Sequence, residues 1–354
     1  MSKTRILSKN ILLTGGAGFI GSSLLQQLLQ QDCQIIVLDN FDDFYSYKTK
    51  LQNLYSALGQ KRQFAYTQHK DQDIKCAIQE LNHDKCSIIF GDIRDPQLTK
   101  QIFRDYGIDL VIHLAALAGV RPSIAEPQRY YDVNVAGTLQ LLENCKEFKV
   151  SKFICASSSS VYGNNRKTPF SESDPVDFPI SPYASTKKAA EVLSHVYYKL
   201  YNINQLHLRF FTVYGPKQRP DLAIHKFTHL ISQGEPITQF GDGNSGRDYT
   251  YIADILHGLL SAIHYLENTE TCYEIINLGE SRVITLKQMI TATEKALQRT
   301  ANIQFLPMQP GDVDLTFADI SKAQKLLNYR PQWHFEDGLA KFVEWYKLQN
   351  SDSE

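Results

Sequence analysis

The fold is decided near the start of the chain, where residues 11–22 read ILLTGGAGFIGS. The apolar residues predict a strand, a glycine-rich turn follows, and residues 22–31 have the spacing of a helix. Gly15, Gly18 and Gly21 form a G-x-x-G-x-x-G pattern, one residue wider at its front than the commonest dinucleotide fingerprint. Strand, turn and helix together predict the phosphate-binding turn of a Rossmann sheet.

Each glycine of this turn has a physical reason. Gly15 allows the tight turn, Gly18 lets the backbone approach a pyrophosphate, and Gly21 lets the helix pack against the strand. The helix N-terminus supplies free N–H groups and a favourable dipole for an anion. The predicted cofactor-binding residues of this segment are therefore Gly15, Gly18, Phe19, Ile20 and Gly21. The alternative is a turn that merely caps a helix.

An acidic residue follows the second predicted strand at the distance that the fingerprint requires. Asp39 and Asn40 end the apolar run of residues 35–38, 18 residues after Gly21. A carboxylate there can accept hydrogen bonds from the adenosine ribose and repels a 2′-phosphate. No Lys or Arg follows before Lys48. The cofactor predicted from these residues is NAD, and Asp39 and Asn40 are assigned to it.

Short apolar runs alternate with helical stretches along the chain, which predicts an α/β fold with a doubly wound parallel sheet covered on both faces. We expect a Rossmann domain over residues 1–212, to which residues 249–280 return, and a smaller C-terminal substrate-binding lobe over residues 213–248 and 281–354. The polar stretch from residue 61 to 85 is predicted to be a surface excursion, helical over residues 73–81. The predicted strands lie at residues 11–13, 35–38, 87–90, 110–114, 153–155, 205–210 and 274–278.

Composition excludes several classes of protein. With 37 basic and 38 acidic residues the net charge is -1, so neither nucleic acid nor a membrane surface is expected as a partner. The first ten residues are too polar for a signal peptide, and no apolar run is long enough to span a membrane. The six cysteines show no C-x-x-C pair, so no metal site is expected. A cytoplasmic enzyme is predicted.

Two further segments follow predicted strands and are assigned to the cofactor. Asp92 could contact the adenine amine and is followed by Ile93, although an Asp there could equally cap a helix. The segment of Leu114, Ala115 and Ala116 contains small residues that would let its backbone pass close to the cofactor, although these residues could simply pack in the core. These segments carry less weight than the glycine turn.

A proton-transfer group is predicted at Tyr183 and Lys187, which form a Y-x-x-x-K motif. Spacing of four residues puts the phenol and the ammonium on one face of a helix that Pro182 begins. A tyrosine has an ordinary pKa of about 10, so it serves as a base near neutrality only if a positive charge stabilises the phenolate. Ser158 lies in a serine run at the end of the fifth strand, where open α/β sheets bind ligands.

These motifs resemble the extended short-chain dehydrogenase/reductase family, and more narrowly the UDP-glucuronate 4-epimerases. The resemblance covers almost the whole chain, and the segment FFTVYGP at residues 210–216 is its most specific part. It implies that Asn134 also contacts NAD. The other segments that carry it are HLAALAGVR at residues 113–121, NVAGT at 134–138, GRDYTYI at 246–252 and QPGDV at 309–313.

The resemblance implies a catalytic cycle. Tyr183 would act as the general base, Ser158 would bind the reacting 4-hydroxyl, and Lys187 would lower the pKa of Tyr183 and hold the nicotinamide ribose. Hydride would pass from sugar carbon 4 to NAD and return to the opposite face after the ring has turned. Arg247 would bind the UDP phosphates and Asp312 the uridine ribose. Arg219 is a weaker candidate for the diphosphate, because it could equally form a surface ion pair.

The serine run favours one reaction within this family. Related dehydratases carry Asp-Glu, and decarboxylases a Glu, where this chain has Ser159 and Ser160. Neutral donors can hold a carboxylate without assisting proton chemistry at carbons 5 and 6. Ser159, Ser160 and Thr212 are predicted to bind the carboxylate of a UDP-hexuronic acid, with Arg121 as a further candidate.

Several alternatives remain. The nearest rival is a 4-epimerase of neutral UDP-sugars, such as UDP-glucose or UDP-N-acetylglucosamine. A decarboxylase or dehydratase is disfavoured by the missing acid, and a non-catalytic NAD-binding regulatory protein by the intact Tyr183 and Lys187. By analogy with related enzymes, a homodimer is expected through helices near residues 127–149 and 183–201.

Overall fold

The computed structural model describes residues 6–60, 66–67, 69–81, 83–307 and 315–351. The chain forms two compact units. The first unit comprises Met1–Val161, Ser181–Arg209 and Leu259–Ile276, and the second unit comprises Tyr162–Ile180, Phe210–Gly258 and Asn277–Glu354.

A seven-stranded sheet forms the centre of the first unit and confirms the predicted fold class. Each of the seven predicted strands is present, and the strand order is β10-β6-β5-β4-β1-β2-β3. The order reverses beside β1, as in a doubly wound sheet. The strands are β1 (Asn10–Thr14), β2 (Gln34–Asp39), β3 (Cys86–Phe90), β4 (Leu110–His113), β5 (Lys152–Ser158), β6 (Asn204–Phe210) and β10 (Tyr273–Leu278).

Burial on both faces explains why these strands are apolar throughout. β1 pairs in parallel with β2 and with β4, so that Leu12 lies between Ile36 and Val111. All three side chains are buried and belong to one hydrophobic cluster with Phe153 of β5. The parallel register brings the carboxyl ends of β1, β2, β4 and β5 to one edge of the sheet, where the predicted site residues follow them.

Helices connect the strands of the first unit. Their ends carry ordinary capping signals: in α4, Asp95 accepts hydrogen bonds from the N–H groups of Gln97 and Leu98, and Gly107 ends the helix in the left-handed conformation. The helices are α1 (Phe19–Leu28), α2 (Tyr47–Ala57), α3 (Lys70–Glu80), α4 (Pro96–Tyr106), α5 (Val120–Ala125), α6 (Pro127–Tyr131), α7 (Gly137–Glu147) and α8 (Pro182–Tyr201), with a π-helical turn at Asp132–Ala136 and a 3-10 turn at Ser159–Tyr162.

The excursion between the second and third strands contains α3, which confirms the predicted helix there. Asp73 of α3 accepts hydrogen bonds from the Tyr47 hydroxyl at 2.7 Å and from the Thr67 hydroxyl at 2.6 Å. Lys70 forms an ion pair with Asp43 at 2.7 Å. α3 is thereby fastened to α2 and to the loop that follows β2. Residues 61–65, 68 and 82 of the excursion lie outside the described part.

The second unit contains two small sheets. One has the order β11-β9-β7, and the other pairs β12 with β8. Its strands are β7 (Thr212–Tyr214), β8 (Pro236–Phe240), β9 (Gly246–Tyr251), β11 (Val283–Thr285) and β12 (Asn302–Leu306); its helices are α9 (Ala223–Gln233), α11 (Leu286–Leu297), α12 (Ser321–Leu327) and α13 (Phe335–Ser351), and α10 (Ile252–Glu267) continues into the first unit. Among the described residues, no helix is long and apolar enough to cross a membrane.

Candidate active site

The glycine turn between β1 and α1 has the geometry that only glycine permits. Gly15 has a φ of +72°, and a Cβ there would lie 2.7 Å from the backbone nitrogen of Ala115. A Cβ on Gly21 would lie 2.1 Å from the carbonyl oxygen of Gly15, so the helix can approach the turn only because this residue is glycine. α1 begins at Phe19, and the N–H groups of its first turn have no partners within the helix. This arrangement fits a pyrophosphate.

Asp39 ends β2 beside the glycine turn. Its side chain is buried, and its carboxylate accepts hydrogen bonds from the N–H groups of Ala17 at 3.0 Å and Phe41 at 2.8 Å. These contacts fix the carboxylate against the turn and leave it lone pairs for a ribose hydroxyl. The position of Asp39 fits the ribose acid of a dinucleotide site, although its contact with a cofactor stays a prediction.

The segment after β3 is bound to the same edge of the sheet. Asn40 donates to Asp92 at 3.0 Å, and Arg94 donates to both carboxylate oxygens of Asp92, at 2.9 and 2.8 Å. Burial raises the pKa of Asp92, but the hydrogen bonds from Arg94 and Asn40 outweigh it, and the net pKa lies below its ordinary value. Ile93 is buried in the hydrophobic cluster. Asp92 and Ile93 thus have structural contacts of their own beside their predicted role.

A chain of hydrogen bonds at the end of β4 fixes the segment from Leu114 to Ala116. The Thr138 hydroxyl donates to the Asn134 carbonyl at 2.6 Å, so it accepts from Nε2–H of His113 at 3.0 Å. Nδ1 of His113 then accepts from the Thr14 hydroxyl at 2.8 Å, which in turn accepts from the Ala115 N–H at 3.2 Å. Burial lowers the pKa of His113 to about 3, so the ring is neutral.

Asn134 lies in the π-helical turn and links two parts of the site. Its side chain bonds both backbone groups of Leu117, at 2.8 and 2.9 Å, and donates to the Thr186 hydroxyl at 3.0 Å. It therefore joins the loop after β4 to α8. Widened turns of this kind are common at functional sites. The contacts make Asn134 a positioning residue for this loop, while its predicted contact with a cofactor is untested.

α8 brings the proton-transfer residues to the end of β5. Ser181 caps the helix by accepting from the Ala184 N–H at 3.1 Å, and Pro182 begins it. Lys187 is buried and donates to the carbonyl oxygen of Ala156 at 2.8 Å, two residues before Ser158. Tyr183 lies one turn earlier on the same face of α8. Lys187 thus holds α8, which also carries Tyr183, against β5, the strand that ends at Ser158.

The hydroxyls after β5 are coupled to one another. Ser158 Oγ accepts from the backbone N–H of Ser160 at 3.2 Å and from the Ser160 hydroxyl at 3.0 Å. The Ser158 hydroxyl therefore keeps its own proton for another acceptor. Ser158, Ser159 and Ser160 are all partly exposed, as ligand-binding groups must be.

A buried ion pair lies beneath these residues and was not found by sequence reasoning. Glu191 of α8 and Arg209 of β6 are each 1% exposed and form two hydrogen bonds of 2.9 Å. Ser157 donates to Glu191 at 2.7 Å. Burial raises the pKa of Glu191, but the bonds from Arg209 and Ser157 outweigh it and lower the pKa overall. The only sequence signal was the spacing of Glu191, one further turn after Lys187.

Predicted substrate residues are distributed over both units. Arg121 lies in the first turn of α5 in the first unit and is exposed. In the second unit Thr212 begins β7, and Arg219 donates to both carboxylate oxygens of Asp221, at 2.9 and 2.7 Å. Such an ion pair is the alternative role weighed for Arg219, and its binding of a diphosphate is untested. Asp312 lies outside the described residues.

Arg247 lies on β9 next to a buried anchor. Its guanidinium donates to the Gly246 carbonyl at 2.9 Å. The neighbouring Asp248 is fully buried and accepts from the N–H groups of Glu280 at 2.7 Å and Ser281 at 3.0 Å. Burial raises the pKa of Asp248 to about 6 against these hydrogen bonds. Asp248 therefore fixes the strand from which the half-buried Arg247 extends.

Comparisons with known proteins agree with this geometry. The family model described as GDP-mannose 4,6 dehydratase matches residues 72–342. The chain is 41% identical to the UDP-glucuronate 4-epimerase of Thermodesulfobacterium geofontis over 337 residues, 95% of either protein. Its structure resembles a crystal structure of the UDP-glucuronic acid 4-epimerase of Bacillus cereus in complex with UDP-glucuronic acid and NAD, with a TM-score of 0.83 and 38% identity over 96% of this chain and 99% of that one.

A second solved structure bears on the alternative substrate. The UDP-glucose 4-epimerase of Thermotoga maritima, determined with UDP-glucose, has a TM-score of 0.81 to this protein and 29% identity, covering 96% of this chain and 99% of that one. Sequence motifs, fold and relatives thus lead to one assignment. The chain belongs to the GDP-mannose 4,6 dehydratase family, within the extended short-chain dehydrogenases/reductases.

Proposed function

We propose that this protein is an NAD-dependent epimerase that interconverts UDP-glucuronate and UDP-galacturonate by inverting carbon 4. The main support for the proposal is the end of β5, where Ser158 ends the strand, Ser159 and Ser160 follow it, and Lys187 of α8 binds the backbone of Ala156. The relatives in Thermodesulfobacterium geofontis and Bacillus cereus support uronate as the substrate.

The first unit fits NAD. Gly15 and Gly21 leave space that a Cβ would fill, α1 presents its N-terminus, and Asp39 is held at the end of β2. Asn40, Asp92 and the backbone of residues 114–116 border the same edge of the sheet. When bound, NAD supplies a reversible acceptor for the hydride of carbon 4. We assign residues 1–212 and 249–280 to cofactor binding, and residues 213–248 and 281–354 to the UDP-sugar.

Three side chains carry the proton chemistry in this proposal. Tyr183 removes the proton of the 4-hydroxyl and later returns it, while the Ser158 hydroxyl donates a hydrogen bond to the reacting oxygen and keeps its proton. An ammonium has three N–H donors, and Lys187 uses one of them for Ala156. Its remaining donors and its charge can bind the nicotinamide ribose and stabilise the phenolate of Tyr183.

Neutral hydroxyls account for the choice of epimerisation over decarboxylation. A 4-keto uronic acid is a β-keto acid and loses carbon dioxide unless its carboxylate is held in an unreactive orientation. We assign Ser159, Ser160 and Thr212 to this task, with Arg121 as a further candidate. Arg247 and Arg219 are assigned to the diphosphate because a guanidinium donates two parallel hydrogen bonds, and Asp312 to the uridine ribose.

The test is incubation of the purified protein with UDP-glucuronate, UDP-glucose and UDP-N-acetylglucosamine without added cofactor, followed by separation of the products. We expect UDP-galacturonate from UDP-glucuronate and little conversion of the neutral sugars. Conversion of UDP-glucose alone would assign the protein to the neutral-sugar epimerases. Release of carbon dioxide from UDP-glucuronate as the main reaction would make it a decarboxylase.

We also propose a homodimer. Val192, Val196 and Leu200 form an apolar stripe along α8 and are 55%, 45% and 64% exposed. Leu139 of α7, which packs beside α8, is 39% exposed. A second copy of the same helices could cover this surface as a symmetric interface. A monomer in light scattering for Val196→Glu, against a dimer for the wild type, would support the proposal, and a monomeric wild type would overturn it.

A cytoplasmic location is proposed on the state of the thiols. None of the six cysteines forms a disulfide among the described residues, and five of the six are buried. Free thiols persist in reducing compartments. Fractionation of cells that express the protein would test this location.

A further inference from the structure

Lys217 is a buried cation of the second unit. It lies in the loop between β7 and α9, five residues after Thr212 and two before Arg219. The residue is 8% exposed, and its Nζ has no hydrogen-bond partner among the described residues. Burial lowers the pKa of Lys217 to about 8, and no charged group of the described chain contributes to that shift. A buried ammonium without a counter-charge destabilises a protein, so Lys217 is expected to have a role other than stabilising the fold.

The backbone at Lys217 is strained as well. Its φ is +71°, in the left-handed region that a lysine rarely adopts. Gln218 holds this conformation: its N–H donates to the Gly215 carbonyl at 3.1 Å, and its side-chain amide donates to the Val213 carbonyl at 3.2 Å. Nδ1–H of His225 donates to the Gln218 carbonyl at 2.7 Å. The loop is thus tied to β7 and α9 on both sides of the lysine.

Strain and an unpaired buried charge at one residue indicate a group that is completed by a ligand. The second unit also carries Arg219 and Arg247, the cations assigned to the substrate, and the proposed substrate has two kinds of oxyanion. We propose that Lys217 binds an oxyanion of the UDP-uronate, either its diphosphate or its carboxylate. This inference rests on the proposed function, because it takes its ligand from it.

The experiment compares Lys217→Met with the wild type, both loaded with NAD. Methionine keeps most of the volume and removes the charge, and Lys226→Met is the matched control because Lys226 is exposed on the neighbouring α9. Affinities are measured by calorimetry for UDP, UDP-glucose and UDP-glucuronate. Thermal unfolding of each protein without substrate shows whether the side chain has a merely structural role.

We expect Lys217→Met to bind UDP-glucuronate about 10- to 100-fold more weakly, the loss typical of a charge-assisted hydrogen bond. Its melting temperature without substrate should equal or exceed that of the wild type, because an unpaired buried charge is gone. An equal loss for all three ligands would identify the diphosphate as the partner, and a loss for UDP-glucuronate alone would identify the carboxylate. Lys226→Met should match the wild type.

Unchanged affinities in Lys217→Met would overturn the inference, and a lowered melting temperature with unchanged affinities would give Lys217 a packing role instead. The two proposals fail separately. A wild type that converts UDP-glucuronate while Lys217→Met binds it equally well contradicts only the role of Lys217. A wild type that does not bind UDP-glucuronate contradicts both.

Discussion

Two buried cations of this protein have opposite surroundings. Arg209, in the first unit, is 1% exposed and shares two hydrogen bonds with Glu191. Lys217, eight residues later in the second unit, is 8% exposed and has no hydrogen-bond partner among the described residues. The end of β5 is therefore held by contacts within the protein, while the loop after β7 contains a buried charge that we propose is completed by a ligand.

The largest effect is expected from Tyr183→Phe, which removes the proposed general base next to the end of β5. Activity should fall by about 10²- to 10⁴-fold, the usual contribution of general acid-base catalysis. UDP affinity should stay unchanged, because the phenol is assigned to the sugar and not to the nucleotide. Turnover by product separation and UDP binding by calorimetry measure the two quantities. Retained turnover would remove Tyr183 from its role.

The buried ion pair between Glu191 and Arg209 should matter for stability. Glu191→Ala leaves the guanidinium of Arg209 buried without its carboxylate, which costs roughly 3–5 kcal/mol in the free energy of unfolding. The matched control is Glu344→Ala, which removes an exposed partner of Lys341 and should cost less than about 1 kcal/mol. Denaturant unfolding of both variants measures the two losses in the free energy of unfolding. Equal losses would show that the buried ion pair stabilises the protein no more than the exposed one.

A smaller effect is expected at the edge of the seven-stranded sheet where we propose that NAD binds. Asp39→Asn keeps the size of the side chain but loses the charge that receives ribose hydroxyls and repels a 2′-phosphate. NAD affinity should fall about tenfold, on the scale of one charge-assisted hydrogen bond, and discrimination against NADP should weaken. Cofactor retained after gel filtration, with NAD or NADP supplied beforehand, measures both. An unchanged preference for NAD would assign the selection to another residue.

The smallest effect concerns a second unpartnered group in the second unit. Glu280 has a carboxylate oxygen with no hydrogen-bond partner among the described residues, and burial, together with Asp254 and Asp248, raises its pKa to about 8. A carboxyl that binds its proton more tightly when folded stabilises the fold at low pH, and that contribution is lost as the pH rises toward 8. Between pH 6 and pH 8, the melting temperature of Glu280→Gln should therefore fall less than that of the wild type. An identical decrease would show that Glu280 is not the titrating group.

The fold could be predicted from the sequence because its signals are local. Each strand of the seven-stranded sheet is a short apolar run that is buried on both faces, and the glycine turn needs a conformation that only glycine adopts easily. Periodicity and turn chemistry depend on neighbours in the chain, which a single sequence displays.

Most contacts of the site could not be predicted from the sequence, because they join residues far apart in the chain. Glu191 pairs with Arg209 through the packing of α8 against the sheet, and Asn134 joins Leu117, in the loop after β4, to Thr186 of α8. The burial of Lys217 was not predicted, because lysine is ordinarily an exposed residue. Asp92 and Arg219 were assigned to ligands, although each has an ion-pair partner two residues away, Arg94 and Asp221. That short spacing is visible in the sequence, but it does not show by itself that the side chains meet.

The central claim is that hydride leaves carbon 4 of UDP-glucuronate and returns to the same carbon. The most direct measurement uses UDP-glucuronate with deuterium at carbon 4, incubated with the purified protein without added cofactor and analysed by mass spectrometry. We expect UDP-galacturonate that retains the deuterium. A product that has lost the deuterium to solvent, or the absence of any epimer, would contradict the proposed mechanism.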